Sequence, residues 1–124
     1  MIAMPERENN KILTKDQKMA QAAYERVASR GGASFEDYNN FAKAFPSLIH
    51  SCGLVQAVAF AATKGKGEYI ADLQAVFDQA DQAGDLYERS RSAGLAEYTR
   101  ISRHALAAAT WLKRYCQALE KTDI

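Results

Sequence analysis

Four acids, Asp78, Asp81, Asp85 and Glu88, recur at intervals of three, four and three residues. On a helix continuing through Gly84 they share one face. Four carboxylates there suit a hard cation, a metal-dependent hydrolase, or a solvated or docking face. Carboxylate metal sites draw ligands from several elements, and no convergent partner is visible, so the docking face is the expected reading. The two histidines, His50 and His104, have no partner at i+4, and neither His-Glu-x-x-His nor Cys-x-x-Cys occurs. No motif sets a serine, threonine or cysteine beside a histidine base. Lys64-Gly65-Lys66-Gly67 is too short for the phosphate-binding frame that follows a strand. The chain is therefore expected to have no catalytic residues, no metal and no cofactor.

A second set of residues suits recognition. Arg100, His104, Ala107, Trp111 and Arg114 recur at four, three, four and three, with Arg103 and Lys113 flanking them. Arginines beside an exposed aromatic ring suit a nucleic-acid backbone, with the ring able to pack on sugar or base. A solvated helix face with Trp111 tucked against a neighbouring helix is the alternative. Charge is also segregated along the chain. Residues 68–88 carry six acids and no base, whereas residues 89–124 carry seven bases and three acids. An acidic helix beside a basic one suits head-to-tail self-association, which closes only if the rotation does. Mutual neutralisation within one chain is the competing reading.

The elements that must position these residues are helical. With 124 residues, 48% apolar and 25% charged at a formal net charge of +1, the chain holds one compact domain. Twenty-three alanines against 2 prolines and 7 glycines favour helices over strands. The sequence predicts an all-α fold, a single compact bundle of five to six helices over 14–124, preceded by a flexible arm over 1–13. Thr14 and Gln17 have capping-box spacing, so the first helix runs from there to about Ser29, ended by Gly31-Gly32. A second starts at Ser34 and stops or kinks at Phe45, because Pro46 disfavours helical geometry in the residue before it. A third spans about Ser47–Thr63. It is apolar nearly all round and so is expected at the centre of the core, with Gly53 as a point of close helix approach. A fourth covers Glu68–Ala83, residues 85–94 form a short helical turn, and the longest helix runs from Leu95 to Leu119. Cys52 and Cys116 are expected as free, buried thiols. No apolar leader and no stretch of about 20 apolar residues occurs, so a cytoplasmic protein without a membrane span is expected.

One resemblance runs through these elements. Tyr38, Phe45-Pro46-Ser47-Leu48-Ile49, Gly53-Leu54-Val55-Gln56-Ala57 and Phe60 resemble the central signature of the small all-helical subunit of type III-B CRISPR effector complexes, the Cmr (RAMP-module) complexes. That signature reads aromatic Tyr, Leu-Pro-x-x-Ile, Gly-Leu and Gln, then Ala-Phe. Tyr98, Ser102, Ala105, Leu106 and Trp111-Leu112-Lys113-Arg114 resemble its C-terminal helix, and Ala20, Ala23, Tyr24 and Val27 more loosely its first. The resemblance covers about 16–118. Cys52 stands where the family often has Asn, and Ser102 where it often has Thr.

The resemblance implies a non-catalytic structural subunit whose copies stack beside the backbone of the complex and help to hold target RNA in antiviral defence. Its partners would be other CRISPR effector subunits, copies of itself and the guide RNA/target RNA duplex. On that reading, Arg100, Arg103, Lys113, Arg114, Lys64, Lys66, Lys43 and Lys18 contact phosphates, and Asp78, Asp81, Asp85 and Glu88 form the stacking face. Gly53, Phe60 and Pro46 are structural. A helical protein–protein adaptor without nucleic-acid contact is the alternative.

Overall fold

The computed structural model describes residues 12–30 and 35–122, which form six helices and, among those residues, no strand. They are α1 Lys15–Ala28, α2 Phe35–Cys52, α3 Leu54–Thr63, α4 Gly67–Phe77, α5 Leu86–Ser92 and α6 Leu95–Thr122. The predicted arm over 1–13, apart from its last two residues, lies outside the described residues. So do the Gly31-Gly32 stop and the Ser34 start.

The start of α1 follows from local chemistry. Gln17 N donates to Thr14 Oγ1 at 3.0 Å, and Thr14 N donates to Gln17 Oε1 at 2.8 Å. Two backbone donors that a helix start leaves unpaired are thereby satisfied. Met19, Ala23 and Val27, spaced at four, are the buried positions of this helix.

Two expectations for the middle of the chain are overturned. Of the two outcomes expected at Pro46, a stop or a kink, the stop does not occur; α2 runs through it to Cys52. Ala42, Phe45, Pro46 and Ile49 lie on one face and are all buried. Each large apolar side chain withdrawn from water stabilises by about 1.5–3 kcal/mol, enough to offset the roughly 3 kcal/mol that an interior proline costs. The break comes instead at Gly53, at φ 86° and ψ 163°. Its N–H closes α2 on the Ile49 carbonyl at 2.8 Å, and its carbonyl opens α3 by accepting from Ala57 N at 3.1 Å. Gly53 is thus a junction between two helices rather than a contact point inside one.

The second correction concerns the centre. Short α3 buries Leu54, Ala57, Val58 and Ala61 but leaves Ala59, Ala62 and Phe60 exposed, Phe60 by 42%. It packs on α2, α4 and α5. Two of its five exposed residues are alanine, which loses little by facing water, and two more, Gln56 and Thr63, are polar. The central element is α6, which packs against α2, α1, α4 and α5. Its Ile101, Ala105, Ala108, Ala109, Leu112 and Cys116 are fully buried. Small residues at this seam let neighbouring helices approach closely. Both cysteines are free, but Cys52 is exposed at the end of α2, contrary to expectation. Burial pushes the Cys116 thiol up to about 11.

A buried carboxylate ties α1, α2 and α4 together. Asp72 on α4 is fully buried. It accepts from Tyr38 Oη at 2.5 Å, from Arg30 Nη2 at 2.8 Å and Nε at 3.0 Å, and from Arg26 Nη1 at 3.3 Å. Burial raises the Tyr38 hydroxyl well above its ordinary value, and its hydrogen bond to Asp72 raises it further. The Arg30 guanidinium also lies over the Tyr38 ring, 5.1 Å from its centre. Asp72 shares a face with the apolar Tyr69, Leu73 and Val76, the one acid on α4 that the periodicity turns inward.

Candidate functional site

The outer face of α6 splits into two parts with different surroundings. Near its start, Arg100 and His104 sit one turn apart and both reach Asp81. Arg100 Nε donates to Asp81 Oδ2 at 2.8 Å, and His104 Nδ1 lies 2.9 Å from the same oxygen. The Arg100 hydrogen bond holds the Asp81 carboxyl below the usual carboxylate range, against partial burial, with His104 adding to it. Here the acidic and basic segments neutralise each other within one chain.

Farther along, the face is open. A groove of about 730 Å³ is lined by Arg103, Leu106, Ala107, Thr110, Trp111, Arg114, Tyr115 and Ala118 of α6 and by Asp16 of α1. The Trp111 ring is half-buried and stacks on Tyr115, with centroids 6.0 Å apart and planes 18° apart. Tyr115 in turn meets Tyr24 of α1 edge-on, centroids 5.6 Å apart at 77°. Arg103 and Arg114 are exposed, and among the described residues neither makes an ion pair. Arg26, Arg30, Arg89 and Arg100 each pair with a carboxylate.

The eight basic residues singled out in the sequence therefore do not form one surface. Only Arg103 and Arg114 line the groove. Lys113 is half-buried on α6, and Lys18 is exposed on α1. Lys43 Nζ is held by Glu120 at 3.0 Å. Lys64 and Lys66 lie over the rings of Phe60 and Phe41, at 5.6 and 5.3 Å from their centres.

The four acids do not share a helix face either, because α4 ends at Phe77 and α5 starts only at Leu86. Asp78 accepts from Gln74 Nε2 at 2.8 Å. Asp85 caps α5 by accepting from Glu88 N at 2.9 Å, and Glu88 is exposed. Gly84, at φ 100°, sits in the turn between them. Among the described residues, no group of three His, Cys, Asp or Glu side chains comes together as a metal site requires. No helix among them is long and apolar enough to cross a membrane.

The sequence reading missed the roles of two structural anchors. Asp72 was visible in principle, being spaced at three and four from Tyr69 and Val76. The Tyr98 hydroxyl accepts from Val55 N at 3.2 Å and so caps α3 just past Gly53, a contact 43 residues apart in sequence.

Comparison with known proteins bears on most of the chain. A family model described as CRISPR-associated protein (Cas_Cmr5) matches residues 15–119. The CRISPR system Cmr subunit Cmr5 of Thermus thermophilus is 40% identical over 110 residues, covering 86% of this chain and 96% of that protein. The crystal structure of a CRISPR-associated Cmr5 family protein, also from Thermus thermophilus, superposes with a TM-score of 0.76 at 36% identity. That match covers 87% of this chain and 98% of the other.

Proposed function

Because the chain belongs to the Cmr5 family, a subunit of the Cmr CRISPR complex, we propose that it carries out no reaction of its own, and that copies of it stack along the complex and help to hold target RNA. Its partners include the other components of the Cmr complex. The observation that carries the RNA part is the pair Arg103 and Arg114. They are exposed on one groove beside an aromatic ring, and no carboxylate among the described residues pairs with them. Their charge is available to phosphates, in an interaction that is independent of base sequence and sensitive to salt. Arg100 is set aside from this surface, because Asp81 already holds it. Lys18 and Lys113 do not line this groove. Lys43, Lys64 and Lys66 belong to it only if they leave their present partners.

The stacking surface of this proposal is the acidic end of the bundle, with Asp78, Asp85 and Glu88 facing a basic surface of the next copy. Asp81 drops out of that set for the same reason as Arg100. Leu95 is 83% exposed and Tyr87 39%, with the Arg91 guanidinium over the Tyr87 ring at 4.6 Å, so this end carries apolar area and one cation as well as the acids. One small domain with two available arginines grips RNA weakly, and several copies in a row multiply that grip.

Arg103→Glu combined with Arg114→Glu tests the RNA part in the assembled complex. RNA retention is measured against salt. The expected result is weaker binding and a log–log salt dependence shallower by about 1.4 (single strand) to 1.8 (duplex) for each copy, because two phosphates are no longer neutralised. Unchanged affinity and slope would remove this face from the RNA path.

A further inference from the structure

Resting on the RNA reading above, we propose that the α6 groove is a stacking shelf for unpaired bases, so that it takes single-stranded rather than duplex RNA. A groove that recognises only phosphates needs no aromatic floor. This one has Trp111 in its lining, braced by Tyr115 at 6.0 Å and 18°, which Tyr24 braces from α1 at 5.6 Å and 77°. The bracing runs across two helices and fixes the ring before any ligand arrives, so little side-chain freedom remains to be lost on binding.

The surroundings of the ring are small. Ala107 and Thr110, on the turn before it, leave the groove open, and its volume of about 730 Å³ lies within the range of pockets that hold drug-sized ligands. Arg103 and Arg114 stand eleven residues apart on one helix, about 16 Å along its axis. Along the axis they lie on either side of Trp111, Arg103 eight residues before it and Arg114 three after. That spacing suits the backbone flanking a stacked base. Asp16, on the α1 wall, repels phosphate and confines the backbone to the α6 side. Unpaired bases have a free π-face for Trp111, whereas the faces of bases inside a duplex are covered by their neighbours. An acidic protein segment would satisfy the arginines but leave the indole without a flat partner.

Trp111 is the one tryptophan of the chain, so tryptophan emission reports on this position alone. The full chain is titrated at low salt with an end-labelled single-stranded oligoribonucleotide of mixed A and U, and with the same strand annealed to its complement. Label anisotropy reads binding and tryptophan emission reads stacking. The expected result is that the single strand raises anisotropy and quenches Trp111. The duplex raises anisotropy with little quenching. Trp111→Leu loses about tenfold in affinity for the single strand but not for the duplex, and Trp111→Phe retains most of it. Thermal melts of both variants separate this loss from unfolding. Rising anisotropy with unchanged emission overturns the stacking shelf and leaves the phosphate contacts standing. Equal quenching by poly-glutamate overturns it in favour of an acidic protein partner. No anisotropy change with either RNA overturns the shelf and the RNA role of the isolated chain together.

Discussion

Asp72→Ala is expected to destabilise the fold by about 3 kcal/mol, the largest effect of any single substitution considered. The carboxylate is fully buried and answers donors from two other segments of the chain. Removing it leaves the Tyr38 hydroxyl buried without an acceptor, at a cost of about 1–3 kcal/mol. It also leaves a hole, the Arg26 guanidinium without its counter-charge, and Arg30 with only Glu68, at 3.4 Å, to pair with. Both guanidinium groups keep some access to water, since the side chains of Arg26 and Arg30 are 47% and 24% exposed. The loss therefore falls short of that for a wholly buried, uncompensated charge. Asp72→Asn keeps an acceptor for Tyr38 and most of the volume, so it should recover part of the loss. Urea unfolding of the two variants checks this. A change below about 1 kcal/mol for the alanine variant, the bottom of the range for an unsatisfied buried group, would mean that the network contributes little. The effect reaches the groove as well. The Asp72 network fixes α1 against α4, and α1 supplies Asp16 and Tyr24 to the groove and its bracing.

The second large effect is at the junction of α2 and α3. Gly53→Ala is expected to cost about 2 kcal/mol, although there is room for the methyl group. An added Cβ meets its nearest neighbour, Tyr98 Oη, at 3.6 Å, an ordinary contact. The cost comes from the backbone, because φ 86° with ψ 163° is a region that residues with a Cβ scarcely enter. To escape the strain, the chain would have to move Val55 N away from the Tyr98 hydroxyl that caps it. Thermal or urea unfolding checks the prediction. A loss under about 0.5 kcal/mol, below the range for such strained positions, would show that the junction relaxes freely.

What the sequence revealed and what it hid divide along the range of the interactions. The capping box at Thr14 and Gln17 involves neighbours three residues apart, and it stands where the spacing put it. The inward stripe of α6 also follows from its own periodicity, and the helix extends only slightly past its predicted end. Family membership was legible for a related reason. Several of the residues that carry the resemblance are structural, among them Phe45, Pro46 and Gly53, with Tyr38 on the buried carboxylate and Tyr98 on the α3 cap. Interactions across the bundle were not legible. The local preference at Pro46 pointed to a stop, but burial of Phe45 and Ile49 overrode it, and the break moved to Gly53. Asp81 looked like one of four equivalent acids until the fold set it against Arg100 and His104. Likewise, eight basic residues looked alike in sequence, and only tertiary packing separated the two that line the groove from those already held by a carboxylate or a ring.

The same sorting gives the molecule a plain division of labour. Asp72 and Gly53 hold the helices in place. The open half of α6 is left with two available arginines and a braced indole. The acidic end of the bundle is left with Asp78, Asp85 and Glu88 beside exposed Tyr87 and Leu95. On the proposed function, the first of these would meet RNA and the second a neighbouring copy.

The most direct measurement is recovery of the tagged chain from its native host at moderate salt, with the proteins and RNA that accompany it identified. The account predicts recovery with the larger Cmr subunits and a short guide RNA, in more than one copy for each complex. Recovery alone, or with proteins and no RNA, would contradict it and leave a helical adaptor that shares the family's fold.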